Sequence, residues 1–381
     1  MSVSSSGLHH VTAIAGRAQA NIEFYVRLLG LRLVKRTVNY EDPRTYHFYF
    51  GDALGNPGSL ITFFPWPGAG EAVRGQSEAL AVSFRVPPGA LPFWRDRLDL
   101  HGLENTTVQR GNREIVTFSD PDGTSLELVE GQEPPAPPAP VAPVAPVARA
   151  AVGTTADTAI GTTAAAGTTE STIESTTEST AQQGIALDTL LAPTRYWTGS
   201  SVPAEAAIIA LDTLTLNTSS PTATADILAS VIGWRPDPQA GSDSERIRLI
   251  PATVEPAMAT AIELVKQGPE GAGRLGTGSI HHVAFRVPDD ETLEAARKTL
   301  IALGLSPTRT KNRTYFRSVY FRDPAGAVLE LATDTPGFLV DEPADELGLA
   351  FKLPDSLEPD RQDLRSQLPV TASPEYADRF R

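Results

Sequence analysis

Short runs of alternating apolar and polar residues follow one another along the chain, separated by a segment of helical period. The run LHHVTAIA (8–15) reads as a strand, and Ala18, Ile22, Tyr25, Val26 and Leu29 then recur at the spacing of one helix face. LRLVKRTV, YHFYFGD and SLITFFPW follow as three further strands. Near the other end of the chain the succession repeats. SIHHVAFRV predicts a strand, DETLEAARKTLIALG a helix, and SPTRTKNR, YFRSVYFRD and AVLELATD three strands. The predicted unit is βαβββ.

Internal similarity extends the unit to four copies. DPDGTSLELVE (120–130) superposes without a gap on DPAGAVLELATD (323–334), LAVSFRVP (80–87) matches HHVAFRVP (281–288), and two stretches begin His-His-Val. A four-stranded module leaves an open edge and one apolar face, and pairing with a second module satisfies both. The expected fold class is therefore α+β, with four βαβββ modules forming two paired-module domains. Modules 1 and 2 occupy 7–130, and modules 3 and 4 occupy 205–335. The concave face of such a pair is a natural site for a small molecule.

Composition changes abruptly between the halves. From 131 to 193 a Pro/Ala stretch gives way to Thr, Ser, Ala and Gly, without the aromatic residues or apolar period that a core requires. This predicts a disordered linker, extended in its first part and flexible in its second. The tail, 336–381, reads as irregular structure and a short helix lying over the domains.

Charge and composition narrow the functional classes. A net charge of −14 argues against a nucleic-acid partner, which would need a basic stripe. The absence of cysteine excludes disulfides, thiolate metal sites and cysteine nucleophiles, so any metal must be held by His, Asp or Glu. No apolar run reaches the roughly 18 residues of a membrane helix, and the N-terminus lacks a secretory pattern. A cytoplasmic protein without a membrane partner is the expectation, and a homo-oligomer is compatible with the pattern.

Four of the six histidines form two pairs, His9–His10 and His281–His282, at corresponding points of modules 1 and 4. By strict alternation one member of each pair faces the cavity and the other lies at the rim or back. Glu330 sits between Leu329 and Leu331 on the last strand, where an unpaired carboxylate is costly to bury. Two imidazoles and one carboxylate form the facial set of non-haem Fe(II) oxygenases. Module 2 has the matching Glu127 but Ala81 in place of His282, and module 3 has Glu263 but no histidine. Only modules 1 and 4 complete the set, so they are expected to pair across the linker, leaving modules 2 and 3 as a metal-free scaffold.

A strand histidine is ordinarily a hydrogen-bonded core or surface residue, and His47 and His101 are read that way. Glu127 and Glu263 are read as structural, exposed or paired with basic neighbours. Arg313, Tyr315 and Tyr320 precede the Glu330 strand. Read blandly they are a solvated Arg and two packing aromatics; read chemically, an Arg that holds a phenolate and a Tyr hydroxyl that orients a proton. Thr12 alternates with His10 and is a candidate for the same cavity.

The stretches GLHHVTAIAGRAQANIEFYVRLLGLRLVKRTVNYEDPRTYHFYFGD, GSIHHVAFRV and NRTYFRSVYFRDPAGAVLELATDTPGF resemble the vicinal oxygen chelate superfamily of glyoxalases, bleomycin-resistance proteins and extradiol dioxygenases. Within it they are similar to the hydroquinone-type ring-cleaving dioxygenases. The resemblance implies Fe(II), or alternatively Mn(II), held by His10, His282 and Glu330. It implies His9, His281, Thr12, Arg313 and Tyr320 around the substrate, and as partners a small aromatic diol and O2. The chain departs from the family in its longer linker and in ALDTL at the start of module 3.

The function expected is thus a non-haem Fe(II) ring-cleaving dioxygenase acting on a hydroquinone or related dihydroxybenzene and inserting both atoms of O2. A glyoxalase-like lyase or isomerase using the metal as Lewis acid is the first alternative. A small-molecule binding or resistance protein is the second.

Overall fold

The computed structural model describes residues 3–131, 195–240, 245–254, 260–267, 271 and 273–372. Most of the predicted linker lies outside them. Module 1 supplies β1 (Leu8–Ala15), β2 (Arg32–Asn39), β3 (Asp42–Gly51) and β4 (Leu60–Pro65). Module 2 supplies β5 (Glu78–Val86), β6 (Asn105–Arg110), β7 (Arg113–Ser119) and β8 (Ser125–Glu130). Module 3 follows with β9 (Ala210–Asn217), β10 (Trp234–Pro236), β11 (Arg246–Pro251) and β12 (Ala261–Val265), and module 4 with β13 (Ile280–Val287), β14 (Lys311–Asn312), β15 (Arg317–Arg322) and β16 (Val328–Thr333).

The strands form two eight-stranded sheets, ordered β14-β15-β16-β13-β1-β4-β3-β2 and β10-β11-β12-β9-β5-β8-β7-β6. Module 1 therefore joins module 4 through β1 and β13, and module 2 joins module 3 through β5 and β9. Because each sheet takes one module from each half, the described residues before and after the linker belong to one compact unit. The boundaries at 7–130 and 205–335 delimit pairs of consecutive modules, while the sheets pair modules across the linker.

The helices cover the outer faces of the sheets, where Val11, Phe63, Val283, Phe285, Leu329 and Leu331 form part of the main core. The first helical segment is α-helical over Ala18–Glu23 and widens to a π-helical turn over Phe24–Leu28. This turn brings Phe24, Tyr25, Val26 and Leu28 into the core together. SPTRTKNR yields only the two-residue β14. Pro307 has no N–H to give, and Thr308 instead bonds Tyr320 through its backbone N–H and its side-chain oxygen, at 2.8 and 3.0 Å.

The tail lies against the first sheet. Phe338 and Leu347 join Val34, Tyr49, Leu60, Ala284, Tyr315, Phe316 and Ala332 in a second core on the concave face. The fully buried Lys35 ammonium meets Asp341 at 2.6 Å and also Glu342. Gly348, at φ +78°, rests on β2 so closely that a Cβ would collide with the Leu33 carbonyl. The predicted short helix is Arg361–Gln367. No helix among the described residues is long and apolar enough to cross a membrane.

Candidate metal centre and active site

Strand register assembles the site. His10 on β1 lies level with Ala284 on β13, Ala284 with Glu330 on β16, and Glu330 with Tyr320 on β15. His282 lies level with Thr12, one step along. Alternation puts all of these on the concave face.

Both His-His pairs sit at β-bulges. Leu8 and His10 pair with the consecutive residues Phe285 and Ala284, so His9 is extra, and Thr12 and Ala13 pair with His282 and Ile280, so His281 is extra. A bulge re-aims the added side chain. His9 consequently turns toward His10 and Phe316, with ring centroids 5.1 Å from each, instead of lying at the back as strict alternation predicts.

The three expected ligands converge. His10 Nε2 and His282 Nε2 lie 3.2 and 3.0 Å from Glu330 Oε2 and 3.3 Å from each other. All three residues are buried, and neither Glu330 oxygen has a hydrogen-bond partner. A first-row ion about 2.0–2.2 Å from each donor at right angles leaves donors roughly 3 Å apart, which is the size of this triangle. An ion also gives the two orphaned oxygens the partner that burial requires. Burial alone would raise the Glu330 carboxyl, but His10 and His282 hold it well below the usual range, so it is a carboxylate ready to ligate. The residues fit a divalent cation.

One set of tautomers satisfies the surrounding bonds. With Nε2 turned to the ion, His10 Nδ1–H donates to His9 Nδ1 at 2.9 Å, leaving His9 Nε2–H to donate to the Thr333 carbonyl at 3.2 Å. His282 Nδ1 and His281 Nδ1 repeat the first contact at 2.8 Å. Burial and then the neighbouring His10 hold His9 well below its usual pKa, which keeps it neutral for this role. The first histidine of each pair thus contacts the ring of the second through Nδ1.

A small cavity of about 20 Å³ beside the triad is lined by Phe64, Phe316, Tyr320, Arg313, His47 and Tyr49 among others. Arg313 donates to Tyr320 Oη at 3.1 Å and to Glu41 at 2.6 Å. Burial alone would raise the Glu41 carboxyl, but hydrogen bonds from Arg313 and Lys311 hold it at about 2. Burial and then the Glu330 charge push the Tyr320 phenol well up, so it stays protonated. The cavity opens into a groove of about 720 Å³ that shares Phe64, His282, Arg313 and Tyr320 with it and also has His281 on its wall.

Thr12 is fully buried and meets the cavity indirectly. Its hydroxyl contacts Thr62 Oγ1 at 2.7 Å, and Thr62 contacts His47 Nε2 at 2.9 Å, while His47 Nδ1 contacts Tyr49 Oη at 2.9 Å. His47 therefore belongs to the cavity wall, contrary to the ordinary reading. The alternation His47–Tyr49 along β3 was the available signal, since both share a face with Thr62. Glu41, which anchors Arg313, carried no signal in the pattern. His101 is exposed, as an ordinary histidine should be. Tyr315 packs on Phe338 and donates to Asp341 at 3.0 Å, which places it in the tail core.

The second sheet shows the repeat without the ligand set. Its register aligns Thr213, Ala81 and Glu127 with His10, His282 and Glu330. Glu127 accepts two hydrogen bonds from Arg110, at 2.7 and 3.1 Å, and Glu263 is paired with Arg246 at 2.7 Å. Both carboxylates are buried and ion-paired.

This architecture and ligand set define a class, and comparison with known proteins gives it a name. The profile of the Glyoxalase/Bleomycin resistance protein/Dioxygenase superfamily matches residues 7–75 and 210–331. The chain belongs to that superfamily. It is 33% identical over 368 residues to MhqO of Bacillus subtilis (strain 168), which carries the name of a ring-cleaving dioxygenase, covering 97% of each chain. It is 28% identical over 363 residues to the chlorohydroquinone/hydroquinone 1,2-dioxygenase of Sphingobium indicum, covering 94% of each. A Bacillus subtilis crystal structure titled as a dioxygenase superposes with TM-score 0.77 at 32% identity, covering 98% of this chain and all of the other. Glyoxalase I from Zea mays, with TM-score 0.53 at 13% identity, shares the fold, covering 86% of this chain and 92% of its own. Together the relatives support a dioxygenase.

Proposed function

We propose that the protein is a non-haem Fe(II)-dependent ring-cleaving dioxygenase acting on hydroquinone or a related dihydroxybenzene, with Mn(II) as the alternative ion. The convergence of His10, His282 and Glu330 on one buried point carries the reading, and the names of relatives matching nearly the whole chain support the reaction class. Held by these three residues, Fe(II) would supply the electron that lets O2 react with an adjacent electron-rich ring.

The chain's own residues would do the rest. Arg313, fixed by Glu41, presents its guanidinium to a substrate phenolate and favours that form over the phenol. Tyr320 stays neutral and offers a proton to oxygen that becomes negative as the ring opens. His9 and His281 position the ligand imidazoles. The Thr12–Thr62–His47–Tyr49 chain holds one wall in place, and Phe64 and Phe316 keep water from the ring.

The test is oxygen uptake by anaerobically Fe(II)-reconstituted protein offered hydroquinone, catechol, or methylglyoxal with a thiol. Oxygen consumption with a dihydroxybenzene, lost in Glu330→Gln, is the expected result. Metal-dependent turnover of methylglyoxal without oxygen use would overturn it in favour of a lyase or isomerase.

A further inference from the structure

The groove outside the triad is far larger than an unsubstituted dihydroxybenzene needs, and its charges are unevenly committed. Of its two lining carboxylates, Glu41 is held by Lys311 and Arg313, each at 2.6 Å, and Glu78 by Arg74 at 2.7 Å and the Gly75 N–H at 3.1 Å. Of its four lining cations, Lys311 and Arg313 are those held by Glu41, and the other two are less occupied. Arg274 has no ion pair or side-chain hydrogen bond among the described residues, and Arg322 gives a single bond to the Gly326 carbonyl at 2.7 Å.

Arg322 follows Tyr320 by two residues on β15, so it lies on the same face roughly 7 Å farther along the strand. The groove wall thus runs from the Tyr320 hydroxyl to a guanidinium with donors to spare. In a chain of net charge −14, cations left uncommitted at the mouth of a site favour an anion there over the surrounding surface. Guanidinium pairs carboxylate or sulfonate oxygens by two parallel hydrogen bonds.

Resting on the dioxygenase reading, we propose that the substrate is a dihydroxybenzene bearing an anionic substituent, which Arg274 and Arg322 hold in the groove while the ring lies beside the triad. The carboxylate of a ring-opened product has the same chemistry and is the other source of an anion there.

The test compares hydroquinone with 2,5-dihydroxybenzoate and 2,5-dihydroxybenzenesulfonate on the Fe(II)-reconstituted full chain, wild type against Arg274→Gln/Arg322→Gln. Anaerobic calorimetric binding accompanies kcat/KM. Wild type should prefer an anionic diol by about tenfold in both readouts, and the preference should fall toward one in the double variant. Equal binding of charged and neutral diols by wild type, or a preference that survives the double substitution, overturns the proposal. So does a variant altered only in inhibition by the ring-opened acid, which assigns the arginines to product. Absence of oxygen uptake with every diol sinks the dioxygenase reading instead, and the binding ratio still decides the role of the arginines.

Discussion

The two sheets share strand order, register and even bulges, and they differ in what neutralises the buried acid. In the module 1 and 4 sheet, Glu330 faces two neutral-capable imidazoles and has no hydrogen-bond partner of its own. In the module 2 and 3 sheet, Glu127 is closed by Arg110 and Ser83, and Asp212, which stands at the bulge corresponding to His9, is closed by Arg85 and Arg113. A gapless alignment of VQRGNREIVTFSDPDG with KNRTYFRSVYFRDPAG makes Arg110 the counterpart of Arg313. One arginine lies on the acid itself, and the other is drawn away by Glu41 to face the cavity. A covalently attached cation stabilises the fold, whereas a site left open to an exchangeable cation can do chemistry.

The largest expected break in this comparison is Arg110→Met, which strands Glu127 in the core. Removing one partner of a buried pair typically costs about 3–5 kcal/mol. Urea unfolding should show that loss, with metal content unchanged. A loss below about 1 kcal/mol would mean that Arg110 does not serve as the internal cation.

A second difference concerns the repeated turn. Burial raises Asp120 to about 6, with Asp122 adding to the effect, against 3.8 in the unfolded chain. The counterpart of Asp122 in the other sheet is Ala325. An acid whose folded pKa is raised contributes stability that is complete below the unfolded value and lost as pH rises through the folded one. Wild type should lose about 3 kcal/mol on this account between pH 2 and 7, and Asp120→Asn should show a correspondingly shallower decline. Parallel pH profiles of the two proteins would refute the assignment.

Metal removal sharpens the contrast from the other side. Free Fe(II) at 100 times its dissociation constant should add about 2.7 kcal/mol to stability, and chelation should withdraw it. Glu330→Gln should abolish the increment, read as the difference between unfolding with and without the ion in each protein. The smallest effect is expected from Tyr49→Phe, which removes one hydrogen bond to His47, at about 1 kcal/mol. A modest rise in KM with kcat held would match a wall that positions substrate.

The modules, their pairing between the two halves and the convergence of His10, His282 and Glu330 are legible in the sequence, because the repeat aligns these three against positions that lack them. The bulges were not. Whether His9 points in or out depends on a register shift between β1 and β13, and no pattern within LHHVTAIA encodes it. His47 was missed because a lone histidine acquires meaning only when Thr62 and Tyr49 on neighbouring strands meet it. The tail's pattern places it over the domains without naming its anchor. Nothing near Lys35 in the sequence marks it as buried; its partners Asp341 and Glu342 lie some 300 residues away.

The most direct test is the metal stoichiometry of anaerobically reconstituted protein, measured by elemental analysis on wild type and Glu330→Gln. The account predicts one Fe per wild-type chain and none retained by the variant after desalting. A second equivalent of metal in wild type, or full occupancy in the variant, would contradict it by placing an ion outside the His10, His282 and Glu330 site.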